Sequence, residues 1–366
     1  MLTFCIHRLH KEIVDFYCYV KPREFENIIR TRLVDDLRIR LKRKNEFAQA
    51  DIHTFGSFPA GLYLPTADMD LVCISEDYMR TGSIAFGKNM SFYHRFSNFI
   101  RNQDLAIDGS VEMITKAKVP LVKYIDKLTG LKVDISFENT TGLVANQTFQ
   151  DWKTQFPAMP VLVTLIKHLL AMRGLNEPVN GGIGGFSVTC LVVSLLQNMP
   201  QVQSGTMIPE HHFGEILMEF FDLYGNQFNT TVNAISLNPP GYLSKVCPYS
   251  PKPFPASFAD WEQAQTGTVY NARNADRLCI IDPNKPENDI AGGSSNTETI
   301  LKCFSKSYLD LQNRMGELQY SGPGARRSQS ILDCILGGNY GSFKLQREHL
   351  AHVYEKLYGA LPAEST

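Results

Sequence analysis

The chain has 366 residues, 43% of them hydrophobic, enough for a sizeable core and, by length, for two compact domains rather than one. Lysine plus arginine number 36 against 37 for aspartate plus glutamate, which excludes a generally basic coat, so any nucleic-acid contact must come from a local surface. The eight cysteines form no Cys-x-x-Cys pair and several lie in apolar runs, which excludes a disulfide framework or a zinc cluster and suits buried thiols in a reducing compartment.

Lys11 to Tyr19 and Pro22 to Lys44 carry helical spacing of apolar residues, the second with Pro22 near its start. From Asp51 to Phe137 the period shortens. Residues 52–55, 71–74, 119–124 and 131–137 read as short strands, interrupted by a helix over Ser91 to Asn102, so this half is α/β. After Asn146 no further strand is expected, and the segments 159–172, 186–199, 213–228 and 297–315 read as helices. Prolines and glycines crowd residues 238–296, the composition of a functional loop or insertion. The longest apolar stretch, Phe186 to Leu196, is too short to cross a bilayer, and His7, Arg8 and His10 interrupt what a signal peptide would keep apolar. An intracellular soluble protein is expected, with nucleus or cytoplasm left open. The abrupt opening at Met1, with no polar tail, reads as that of a core region whose localisation signals lie elsewhere.

The chemistry concentrates in the segment Phe55 to Val72. Asp68 and Asp70 open an apolar strand, and residues two apart on a strand project from one face within roughly 7 Å. Two hard divalent cations about 4 Å apart suit such oxygen ligands, one activating an attacking hydroxyl and the other neutralising a leaving pyrophosphate. A third carboxylate, Asp134, interrupts the apolar run Lys132 to Phe137 in the same half. A lone aspartate at a strand end is usually a turn or cap. The set of three, preceded by Gly56-Ser57 eleven residues before Asp68, reverses that reading, because a small residue and a hydroxyl at a strand-to-helix turn suit phosphate oxygens.

On these residues the sequence resembles the DNA polymerase beta-like nucleotidyltransferases, and within them the poly(A)-polymerase-like RNA terminal transferases. The resemblance implies an α/β polymerase-beta-like nucleotidyltransferase domain over residues 33–145. A mostly helical, poly(A)-polymerase-associated central domain would take 1–32 and 146–366, with a base-recognition loop over 282–296. It implies catalytic and metal-holding roles for Asp68, Asp70 and Asp134 with two Mg2+ or Mn2+ ions, and nucleotide contacts from Gly56 and Ser57. Residues 165–170 are similar to the family's triphosphate-reaching helix, giving that role to Lys167. Residues 181–187 are similar to the turn that stacks an aromatic under the base, giving Gly185, Phe186 and Ser187. The loop resemblance adds Asn288 and Asp289. Gly184-Gly185-Phe186 replaces the family's usual Ser-Ser-Tyr, and Gly292 stands where relatives often carry arginine.

The implied activity is template-independent addition of A or C to RNA 3′ ends in RNA tailing, surveillance and mRNA decay, from ATP or CTP. The nuclear relatives act with a zinc-knuckle RNA-binding protein and a helicase, while fungal relatives tag mRNA 3′ ends with C and U. Asp289 would accept from the exocyclic amino group that adenine and cytosine possess and uracil lacks, and Arg326 or Arg327 would serve the acceptors of cytosine. Taken alone, Lys167 reads as a snorkelling side chain and Phe186 as core. The seven basic and two acidic residues between Arg30 and Lys44 read as a solvated face, and His211-His212 as a loop or helix start without a third ligand. Two rivals remain: a small-molecule nucleotidyltransferase, which would share the aspartates, and a catalytically silent RNA-binding scaffold that kept the fold, against which the intact set of three speaks.

Overall fold

The computed structural model describes residues 2–116, 119–245, 275–322, 324 and 328–362. They belong to two compact units, Met1–Tyr19 with Asp151–Gly338, and Val20–Gln150 with Asn339–Thr366. In chain order, helix α1 (Leu2–Val20) opens the first unit and α2 (Glu24–Lys42) the second. Glu24 and Glu26 in the first turn of α2, and Arg40 and Lys42 in its last, complement the helix dipole.

The second unit is built on a five-stranded sheet of β1 (Ala50–Phe55), β2 (Met69–Ser75), β3 (Glu112–Ile114), β4 (Leu121–Ile125) and β5 (Lys132–Phe137), in spatial order β1-β2-β5-β4-β3. Only β2 and β5 run parallel, and the chain between them supplies α4 (Glu76–Thr81), α5 (Met90–Asn102), β3 and β4; the short α3 (Ser57–Ala60) joins β1 to β2. Alternation decides the faces. Ile52, Met69, Leu71, Cys73, Val122, Tyr124, Val133 and Ile135 are buried in one core with Leu33 and Leu37 of α2 and the α5 aromatics Phe92, Phe96 and Phe99. The intervening residues Asp70, Lys123 and Asp134 are therefore turned to the opposite face.

The helix Gly341–Tyr358 packs along α2 and contributes Leu350 and Val353 to this core. This corrects the sequence expectation, which assigned everything after residue 146, and Val20 to Arg32, to the helical domain. An amphipathic helix records which side is apolar but not which partner covers it. A buried ion pair reinforces the attachment: Arg347 Nε lies 3.3 Å from Oε1 of the fully buried Glu26, and the Arg347 guanidinium also donates to the Val20 and Lys21 carbonyls.

The first unit contains, besides α1, the buried helices α7 (Met159–Ala171) and α8 (Gly185–Asn198), the short α9 (Pro200–Gln203), α10 (Phe213–Asp222) and the long helix Thr297–Tyr320. Helix α6 (Thr141–Gln155) precedes them across the division in the chain. The expectation that strands end at residue 146 is corrected here. Asn233–Leu237 (β6) pairs with Pro240–Ser244 (β7), and Ile281–Asp282 (β8) with Lys285–Asp289 (β9). Hairpins this short, broken by Pro239, Pro240 and Pro286, carry no alternation long enough to read. No helix among the described residues is long and apolar enough to cross a membrane. The seven cysteines described are free thiols, four of them buried (Cys5, Cys73, Cys190, Cys279) and Cys18 exposed.

His168 on α7 is buried against the Phe16 ring, 5.5 Å between centroids, and burial, aided by Arg173, pushes its pKa down from 6.5 to about 4. The unfolded chain thus binds the proton more tightly, so the stability this residue contributes is complete above pH 6.5 and is lost as pH falls towards 4, by about 3 kcal/mol at about 1.4 kcal/mol per pKa unit. Urea unfolding of His168→Phe beside the parent, from pH 7 to 4, should show the variant losing less stability. Parallel curves would remove His168 as the cause.

Candidate active site

The two carboxylates that the parallel pair brings together are Asp70 and Asp134. They are direct register partners on β2 and β5, strands that lie about 4.8 Å apart. Asp68 stands just before β2, with the fully buried Met69 separating it from Asp70, and both aspartates are half-exposed. Lys123, the register partner of Asp134 on β4, places its Nζ 2.7 Å from Asp134 Oδ2. Sequence reasoning missed this lysine, although strand alternation in Leu121-Val122-Lys123-Tyr124 marks it as the one long polar side chain between two buried residues.

Gly56 sits at φ +74° in the turn from β1 into α3, and a Cβ there would lie 2.6 Å from Asp70 Oδ2. The glycine therefore supplies both a left-handed backbone and the room in which the Asp70 carboxylate rests. Its amide is engaged rather than open, donating to Asn146 Oδ1 at 3.1 Å, while Asn146 Nδ2 donates to the Thr54 carbonyl at 3.0 Å. Asn146 is a second residue that the sequence reading missed, 90 positions away from the backbone it holds. Ser57 opens α3, half-exposed, and its carbonyl accepts from Leu62.

In the other unit, the expected nucleotide-binding residues also gather. Lys167, half-exposed on the otherwise buried α7, lies with its Nζ 3.4 Å from where a Cβ of Gly185 would stand. Phe186, at the start of α8, is half-buried and stacks on Trp152 with 6.1 Å between ring centroids and 18° between planes. Trp152 gave no signal in the sequence. Ser187 is buried and its hydroxyl donates to the Ile290 carbonyl at 3.2 Å, tying α8 to the 282–296 loop.

Within that loop Asp289 does structural work. Its Oδ1 accepts the backbone N–H groups of Ile280, Ala291 and Gly292, each at 3.0 Å. Burial pushes its carboxyl up from the usual carboxylate range while the Ile280 and Ala291 amides pull the other way. A Cβ on Gly292 would lie 2.8 Å from Asp289 Oδ2, so glycine at 292 and the inward carboxylate belong together. The Oδ1 atom of Asp289 thus shapes the loop, a role that the sequence reading did not assign to it. Asn288 Nδ2 donates to Asp282 Oδ2 at 3.0 Å. Arg326 and Arg327 lie outside the described residues.

The arginines of α2 are committed locally. Arg38 holds the Ile52 carbonyl and Asp35, Arg40 the Gln103 carbonyl, and Arg32 lies 3.7 Å from Asp36. That agrees with a solvated face rather than an RNA track.

The donor chemistry of the carboxylate face fits magnesium in one respect and is incomplete in another. Asp68, Asp70 and Asp134 are hard oxygen donors, yet among the described residues no group of three His, Cys, Asp or Glu side chains is gathered to hold a metal ion. Magnesium asks for less than a cage: one or two carboxylates, with substrate phosphates and water completing its octahedron, suffice.

Two family models match the chain: the central palm domain of mitochondrial-like poly(A) RNA polymerase over residues 9–154, and the Cid1 family poly A polymerase over residues 212–288. Poly(A) RNA polymerase protein 1 of Saccharomyces cerevisiae is 34% identical over 328 residues, covering 90% of this chain and 47% of the yeast protein. Poly(A) RNA polymerase cid14 of Schizosaccharomyces pombe is 31% identical over 351 residues, covering 94% and 47%. The chain thus spans about half the length of the curated relatives it matches. The solved polymerase core of TRAMP, a RNA surveillance complex, is similar to it with a TM-score of 0.75 and 30% identity, over 90% of this chain and 94% of that one.

Proposed function

The chain belongs to the poly(A)-polymerase-like RNA nucleotidyltransferases, and from that premise we propose that it extends RNA 3′ ends without a template, taking ATP as its preferred nucleotide. The observation that carries the reading is the pairing of Asp70 with Asp134 in register on parallel strands, with Gly56 making room for the Asp70 carboxylate.

In this reading, Asp68, Asp70 and Asp134 would hold two Mg2+ or Mn2+ ions, which when bound neutralise phosphate charge and acidify the RNA 3′-hydroxyl. Lys123 holds the Asp134 carboxylate in place at 2.7 Å. Lys167, beside the Gly185 backbone, binds triphosphate oxygens, and Phe186, braced by Trp152, offers a ring to the base. The loop shaped by Asp289 sets which base is accepted. RNA grip would come from a zinc-knuckle protein and a helicase, since the α2 arginines are already engaged within their unit.

Incubating a labelled oligoribonucleotide with Mg2+ and each nucleoside triphosphate in turn, beside Asp68→Ala/Asp70→Ala, tests the proposal. Ladders with ATP support it, a CTP preference replaces ATP with the tagging chemistry, and no extension with any nucleotide favours the small-molecule or scaffold rivals. For base choice, Asp289→Ala should cost about 2–3 kcal/mol by orphaning buried amides, and flatten the preference among nucleotides. A folded Asp289→Ala protein with its preference intact would end the loop's role in selection.

A further inference from the structure

Helix α2 carries a guanidinium that the site as described leaves unexplained. Arg30 is fully buried, with Nη1 donating to the Ala67 carbonyl at 3.0 Å and Nη2 to the Pro65 carbonyl at 3.2 Å. Its plane lies over the Tyr63 ring, 4.3 Å from the centroid, and the Tyr63 hydroxyl donates back to Asn27 Oδ1 of the same helix at 2.6 Å. Arg30 Nε is buried without a hydrogen-bond partner among the described residues. One turn earlier Glu26, also fully buried, caps Arg23 and pairs with Arg347. The α2 side chains thus hold segment 63–67, whose next residue is Asp68.

Burying a charge with one donor unsatisfied is a poor way to gain stability, because the desolvation of a guanidinium costs several kcal/mol before any contact returns it. Its advantage is geometric. A planar fork gripping two carbonyls two residues apart fixes the spacing and direction of that backbone, which a single ammonium cannot do. Asp68 is also close enough to the guanidinium for the two charges to interact.

We infer that Arg30 is a positioning residue: by clamping the Pro65 and Ala67 carbonyls it fixes where the chain enters β2, and so presents Asp68 and Asp70 as a pair. The inference rests on the proposed role of those aspartates. It requires no contact between Arg30 and substrate.

The test compares Arg30→Met, Arg30→Lys, Asp68→Asn and a control, Val34→Ala, which removes buried volume from the sheet's core one turn further along α2 and takes away no hydrogen bond to segment 63–67. For each, the thermal midpoint, the kcat and KM for ATP in RNA extension, and Mn2+ binding by electron paramagnetic resonance are measured well below the melting range. Arg30→Met should lower kcat about 100-fold, the scale of a misplacement near 1 Å, with KM within about twofold and Mn2+ affinity weakened about tenfold. Arg30→Lys should recover part of both, and Val34→Ala should lose stability with kcat and Mn2+ affinity unchanged. If Arg30→Met fails to fold, the same comparison on Arg30→Lys decides. Parental kcat and Mn2+ affinity in the folded Arg30 variants would overturn the positioning role, as would losses that merely follow the melting temperature across Arg30 and Val34 variants. If instead Asp68→Asn retains full extension and Mn2+ binding, the carboxylate reading itself has failed and the inference falls with it.

Discussion

Asp70→Asn should fold and should not extend RNA. The amide nearly matches the carboxylate in volume, so the space left by Gly56 stays filled and the pairing of β2 with β5 is undisturbed. What disappears is one of the two charges that the register sets side by side, and with it a hard ligand for a divalent ion whose protein coordination rests on few oxygens. A loss of at least about 1000-fold in kcat is expected, with the thermal midpoint within a few degrees of the parent. Extension assays, Mn2+ binding and a melting curve on one preparation check this. Residual activity above a tenth of the parent would remove Asp70 from the chemistry. Asp134→Asn should behave alike in activity but lose more stability, because it also removes the ion pair with Lys123 at 2.7 Å.

Gly56→Ala should come second in size, for two independent reasons. Alanine at φ +74° costs about 1–2 kcal/mol of backbone strain, and its methyl would stand 2.6 Å from Asp70 Oδ2, far inside contact distance. The carboxylate must swing away, and a reacting group displaced by such a margin loses about 100-fold in rate. The expected protein is folded, less stable by about 1–3 kcal/mol, and nearly inactive, with KM for ATP little changed. A variant with parental kcat would show that Asp70 has no fixed position to defend.

The carboxylate face was legible because strand alternation is a short-range rule: Asp68-Met69-Asp70 and Val133-Asp134-Ile135 declare which residues lie on which side before any partner is known. Which strand stands beside which is a long-range fact, and so Lys123 escaped notice although its own strand was recognised. Asn146 escaped for the same reason, its two hydrogen bonds reaching back to Thr54 and Gly56. Asp289 carries a second role that its residue type did not announce. Its residue type suggested an acceptor for a base, but an aspartate in a tight turn also accepts the backbone amides around it, and the fold supplies three. The helix Gly341–Tyr358 was overlooked as part of the α/β unit because nothing in its own pattern names α2 as its cover.

That last attachment bears on how the protein is born. Arg347, the residue that neutralises Glu26, leaves the ribosome 321 positions after it, once the whole of the other unit has been made. Until then the nascent sheet lacks Leu350 and Val353 and carries a carboxylate destined for burial without its counter-charge. The sheet-bearing unit, though its strands are all made before the greater part of the other unit, is completed last, and polypeptides released before residue 347 should be conspicuous to proteases and chaperones even though Asp68, Asp70 and Asp134 have long been synthesised.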